Sequence, residues 1–160
     1  MSTRESSIRA TVFFLVLSLA GTCALANVLT VSRVHSGDMI EFQGGWKTRL
    51  SGIEAPAIDT PAGKQAHAFT RQQLEGKRVK VYTYTTDNTA AGIVKDAEGH
   101  PFARILFGPE PSTDINALLL EMGLAQVDEA YLRADLQYYR EIQAEARAKK
   151  VGIWSGTEIN

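Results

Sequence analysis

Asp38, Arg49 and Glu54 are the residues of this 160-residue chain whose types and spacing could do chemistry together. Asp38 follows Gly37 in a turn between two strand-like runs, and Arg49 and Glu54 lie on or just after a third run. A meander returns its turn beside a neighbouring strand end, so Asp38 and Glu54 can converge. Two carboxylates and a carbonyl make a hard oxygen site suited to Ca2+ or Mg2+. An arginine beside such a site can clamp a phosphate through two parallel N–H donors. The competing reading at this level is a plain surface ion pair between Arg49 and a carboxylate, because most exposed charges are simply solvated.

The elements that must position these residues show as periodicities. Val28 to Val34 alternates and is rich in β-branched residues, which predicts a strand. Met39 to Phe42 is its expected partner, Gly44-Gly45 closes a second hairpin, and Trp46 to Ile53 reads as a third strand. Ala62, Ala66 and Phe69 fall on one helical face, with Thr60 as N-cap, Pro61 at the first helical position and Gly76 as C-cap. Lys77 to Tyr84 and Phe102 to Phe107 alternate as strands. Asp114 opens a helix carrying Ile115, Leu118, Leu119 and Met122 on one side, and Gly123 ends it. Leu132, Leu136, Tyr139, Ile142 and Ala146 line a last helix. Five strands with three helices predict an α+β protein. A five-stranded Greek-key barrel plugged by helices, the OB-fold, buries them best.

Residues 1–26 differ from the rest. Arg4 and Arg9 make a basic start, Val12 to Ala20 is an apolar run, and Ala24-Leu25-Ala26 offers small residues before Asn27. That layout predicts a signal peptide over 1–26, a single domain over 27–160, and a secreted or periplasmic destination. The apolar run is shorter than the roughly 20 residues a spanning helix needs, so no stable membrane insertion is expected after cleavage. Cleavage would remove Cys23, the one cysteine. It would also remove Arg4, Arg9 and Glu5, turning the 17 basic and 18 acidic side chains into 15 and 17, a net charge of −2. A protein that grips nucleic acid usually carries a basic surplus, so any basic surface here must be local. The expected form is a monomer.

The order of the motifs then adds a family likeness. Val34-His-Ser-Gly-Asp-Met-Ile40 and Arg49-Leu-Ser-Gly-Ile-Glu-Ala-Pro56 resemble the D-G-D-T turn and the R-L-x-x-[IV]-D-[TA]-P-E segment of the staphylococcal nuclease (thermonuclease) family. Asp96-Ala-Glu-Gly-His100 is similar to that family's D-x-Y-G-R, the 114–125 stretch to its V-N-x-x-L-V-x-x-G-L-A helix, and Ala144 to Trp154 to its closing segment. The likeness runs from about Val28 to Trp154. It implies an OB barrel with three helices and Ca2+-dependent hydrolysis of DNA and RNA phosphodiesters, with single-stranded nucleic acid as the expected partner.

Residue by residue, the resemblance makes Asp38 a metal ligand, Glu54 a second, one methylene longer than the family's aspartate, and Ala55 a ligand through its backbone carbonyl. Arg49 matches the first phosphate-binding arginine. Ser36 replaces a further aspartate close to the metal. Ala57 stands where a glutamate activates the attacking water, and losing a general base costs about 10²–10⁴-fold. His100 stands where a second arginine stabilises the transition state, and losing that fork costs about 10²–10³-fold. Weak or lost turnover is therefore expected. Asp59 and Glu98 are candidate substitutes for the missing base, while turn-forming and solvated roles compete for them. Tyr131 is a candidate platform for a base. Tyr139 and Trp154 read as packing residues, and His35 and His67 have no metal-ligand spacing between them. The alternative from another class is a non-catalytic OB-fold module binding nucleic acid or an envelope protein.

Overall fold

The computed structural model describes residues 27–86, 92–129 and 136–156. Five strands form the wall of a barrel: β1 (Asn27–Val34), β2 (Met39–Phe42), β3 (Lys47–Leu50), β5 (Arg78–Thr83) and β6 (Phe102–Phe107). They run antiparallel in the order β3-β2-β1-β5-β6, and a parallel pairing of β3 with β6 closes the circle. Closure removes the open edges that would otherwise present unpaired backbone groups. With α1 (Pro61–Leu74), α2 (Ile115–Glu121) and α3 (Leu136–Ala148), this is the α+β OB-fold expected from the pattern.

Alternation explains why the wall forms. Val31 and Val34 on β1, Ile40 and Phe42 on β2, Leu50 on β3, Val79 and Val81 on β5, and Ile105 on β6 all point inward and are buried. Burying such a side chain contributes roughly 1.5–3 kcal/mol. Ile115, Leu119 and Leu120 of α2 and Tyr139 of α3 join the same core.

The predicted third strand, Trp46 to Ile53, is two elements. The chain leaves β3 at Leu50, turns through Gly52 at φ 70°, and re-enters as β4 (Ile53–Glu54). β4 pairs antiparallel with β8 (Gln126–Val127), outside the barrel wall. A Cβ on Gly52 would sit 3.3 Å from the Tyr139 ring, so glycine serves both the turn and the packing of α3. β7 (Thr113–Asp114) adds a short edge to β6.

The helix starts hold as the caps predict. Thr60 accepts from the Gly63 amide at 3.0 Å, Pro61 follows it, and Asp114 accepts from the Asn116 and Ala117 amides. The α1 cap is Glu75, with Gly76 (φ 78°) just beyond it. Met122 corrects the expected face of α2: it is the cap residue and 45 % exposed, because the helix ends before a further turn could bring it inward. Ile115 and Leu119 of that face are buried, and Asn116 beside them is fully buried as well. No helix among the described residues is long and apolar enough to cross a membrane.

Candidate active site

Asp38 is placed by three neighbours. The 36–38 loop lies against α1, where Thr70 donates to the Gly37 carbonyl at 2.8 Å. A side chain on Gly37 would overlap Ala55 and Ala66, whose Cβ atoms stand 2.6 and 2.8 Å from the position of its Cβ. Leu50 donates its amide to the Asp38 carbonyl at 2.8 Å, tying the loop to β3. The Asp38 carboxylate is thereby buried at 4 % exposure. Ser36 donates to one of its oxygens at 2.6 Å, while Arg49 Nη1 and the Ala55 amide lie 3.4 and 3.5 Å from the other. The fold thus brings together Asp38, Arg49 and the Ala55 backbone.

Arg49 is held on its second side by Asp96, the first residue of the Asp96–His100 segment. Arg49 Nε donates to Asp96 Oδ2 at 3.0 Å, and Nη2 lies 3.9 Å from Glu98. The reason is register: Arg49 pairs with Phe102 across the parallel β3–β6 seam, which sets the 96–101 turn beside it. Asp96 shapes that turn by accepting the amides of Glu98 and His100 at 3.1 and 2.8 Å on Oδ1. The sequence signal was the Asp-Ala-Glu-Gly turn itself, since Asp favours bonding its own backbone two residues on. Its partner was invisible because it lies across a parallel seam.

Electrostatics follow from these contacts. Burial pulls the Arg49 guanidinium pKa down, but the Asp96 hydrogen bond and the charges of Asp38, Asp96 and Glu98 outweigh it and hold it above the usual value. For Asp96, burial pushes the pKa up, and the His100 amide, Arg49 and the His100 ring together bring it below the ordinary carboxylate value. One guanidinium therefore faces three carboxylates, a surplus of two negative charges. Asp96, Glu98 and His100 form a compact set, with ligand atoms within 4.8 Å of one another.

The remaining candidates are placed as follows. Glu54 is exposed on β4, and its carboxylate accepts from Gln126 Nε2 at 3.2 Å. His100 is partly exposed, with Nδ1 3.2 Å from Asp96 Oδ2. Asp59 is exposed in the turn before α1, where Thr60 rather than Asp59 provides the cap. Ala57 is exposed, and its carbonyl accepts from the Thr60 amide and hydroxyl. Tyr131 and Leu132 lie outside the described residues. Tyr139 is core, 2 % exposed, and donates to Asp114 at 3.2 Å. Trp154 packs under the Arg147 guanidinium at 4.2 Å.

The sequence profile of the family described as Staphylococcal nuclease homologue matches residues 47–156. The chain is 32 % identical over 140 residues to Staphylococcal-like nuclease CAN1 of Arabidopsis thaliana, covering 82 % of this chain and 39 % of that protein. It is 30 % identical over 118 residues to Probable endonuclease LCL3 of Arthroderma otae, covering 66 % of this chain and 39 % of that protein. The chain thus spans about two fifths of the length of these curated relatives.

Proposed function

We propose, from the premise that this chain belongs to the staphylococcal nuclease homologue family, that it is an exported nuclease that hydrolyses phosphodiester bonds of single-stranded DNA or RNA slowly and with Ca2+. The observation that carries this reading is Arg49 gripped between buried Asp38 and Asp96 at the closed β3–β6 seam. A guanidinium fixed by two carboxylates keeps its remaining N–H donors aimed, which is what phosphate binding needs.

The oxygen donors here are of the type calcium takes. Three carboxylates around one arginine would repel a phosphodiester unless a cation joined them. By the family likeness Asp38, Glu54 and the Ala55 carbonyl are the hard oxygens that would hold it, with Glu54 released from Gln126. When bound, Ca2+ supplies Lewis-acid polarisation of a phosphoryl oxygen. Arg49 binds a second phosphoryl oxygen, and Asp96 and Ser36 keep Arg49 and Asp38 in place.

Slow turnover is proposed because the Ala57 side chain has no group that accepts a proton. Asp59 is the carboxylate nearest to it along the chain, Glu98 lies 3.9 Å from Arg49 Nη2, and both are exposed. Export rests on the composition of residues 1–26, and a monomer is the expected form. The competing reading, a binding module without turnover, draws on the same absence at Ala57.

The test is cleavage of single-stranded DNA by the purified chain with Ca2+ and with a chelator. We expect chelator-sensitive cleavage that Asp38→Ala lowers at least 10²-fold. The double change Ala57→Glu with His100→Arg should raise kcat by about 10²-fold or more. If neither the natural chain nor this double variant binds Ca2+ or cleaves, the nuclease reading fails. Chelator-independent DNA binding with no cleavage would favour the binding module.

A further inference from the structure

We propose that His100 is the general base of this site, with Asp96 as its positioning residue, so that the proton acceptor missing at Ala57 is supplied from the other side of Arg49. The inference rests on the nuclease reading above and deepens it.

The geometry is that of an oriented imidazole. Asp96 Oδ2 lies 3.2 Å from His100 Nδ1, and Oδ1 accepts the His100 amide at 2.8 Å. The same side chain thus holds the ring and the backbone that carries it. A carboxylate accepts only, so Nδ1 carries the hydrogen in this contact. In the neutral ring that leaves the Nε2 lone pair without a proton and available as an acceptor. A base whose other nitrogen is oriented by an aspartate recurs in nucleophile activation on unrelated folds.

The position is set by the fold, not by a flexible loop. Pro101, next to His100, accepts the Arg49 amide at 2.9 Å and the Thr48 hydroxyl at 2.6 Å. His100 therefore stands one residue from the β3–β6 seam on which Arg49 sits. Arg49 and His100 meet on one atom, Asp96 Oδ2. Arg49 and His100 thus flank the same carboxylate oxygen. The ring keeps 29 % side-chain exposure, which gives a water access.

In the reaction Nε2 takes a proton from a water molecule. The water oxygen forms the new P–O bond with its electron pair. The P–O bond to the leaving sugar oxygen breaks, and that oxygen keeps the pair and takes a proton from solvent. The imidazolium returns its proton to solvent, so one water is consumed and a phosphomonoester and an alcohol result.

The single change His100→Arg separates this role from that of a weakened phosphate clamp. An arginine restores a charged fork but accepts no proton. Cleavage of single-stranded DNA at fixed saturating Ca2+ is compared for the natural chain, His100→Arg, His100→Ala and His100→Ala with Ala57→Glu, each checked for folding by circular dichroism. We expect His100→Arg and His100→Ala each to lower kcat about 10²-fold or more. Adding Ala57→Glu to His100→Ala should restore it to within tenfold of the natural chain. The natural chain's kcat should rise with pH along one limb, and Asp96→Asn should displace that limb. The assignment is overturned if His100→Arg cleaves as well as the natural chain or better, or if kcat falls with pH along that limb, which would mark His100 as an acid. No cleavage by the natural chain while Ala57→Glu with His100→Arg cleaves also overturns it and spares the nuclease reading. No cleavage by any variant removes both.

Discussion

Asp96 does more within the site than its place in an exposed-looking turn suggests. Its two oxygens receive Arg49, the His100 ring and the amides of Glu98 and His100, and its side chain is 6 % exposed. Those contacts hold its pKa below the ordinary value of 3.8, against the opposing effect of burial. A carboxylate lowered in the folded state stabilises the protein fully above its unfolded pKa, and that stability is lost as pH falls through the folded value. Asp96→Asn should therefore cost about 1–2 kcal/mol at pH 7 in urea denaturation. It should cost less at low pH, as the natural carboxylate takes up its proton. Equal losses at both pH values would show that Asp96 acts by shape alone. The residue was legible as a turn former, but its partner was not, because nothing in the local sequence encodes a contact across 47 positions.

At the scale of elements, the site depends on how closely α1 meets the segment after β4. A Cβ on Gly63 would fall 1.9 Å from the Ala57 carbonyl oxygen, so the start of α1 rests directly on that backbone. Gly63→Ala must push the two apart, and overpacking of this kind costs about 1–3 kcal/mol or more. It should lower the thermal midpoint by several degrees and reduce cleavage, because the same movement carries Ala55 away from Asp38. Gly45→Ala is the contrast: open space surrounds its Cβ, so only the strain of φ 82° is felt, and cleavage should stay unchanged. The elements themselves were largely readable. The caps Thr60 and Asp114 and the runs at 39–42 and 102–107 stand where pattern placed them. The break of the third strand at Gly52 was not readable, since a lone glycine in an alternating run marks a weak point without saying that the chain changes partners.

The whole molecule is joined by Asn116, fully buried where α2 meets the closed barrel. It donates to the Ser51 carbonyl at 2.9 Å and the Ala103 carbonyl at 3.4 Å, and it accepts the Ile105 amide at 3.4 Å. Each buried group left without a partner costs about 1–3 kcal/mol, so Asn116→Leu should destabilise the chain by about 2–4 kcal/mol in urea. A change below about 1 kcal/mol would show that water or backbone movement fills the gap. The sequence alone determined the barrel class and the helix starts, because alternation and capping are local properties. Only the tertiary structure decided that Arg49 lies between Asp38 and Asp96, that Glu54 turns to Gln126, and that Asp96 orients His100. Those facts follow from closure of β3 on β6 and of β4 on β8. A closure brings together residues far apart in sequence, and its register is set by the packing of the whole core rather than by either strand alone.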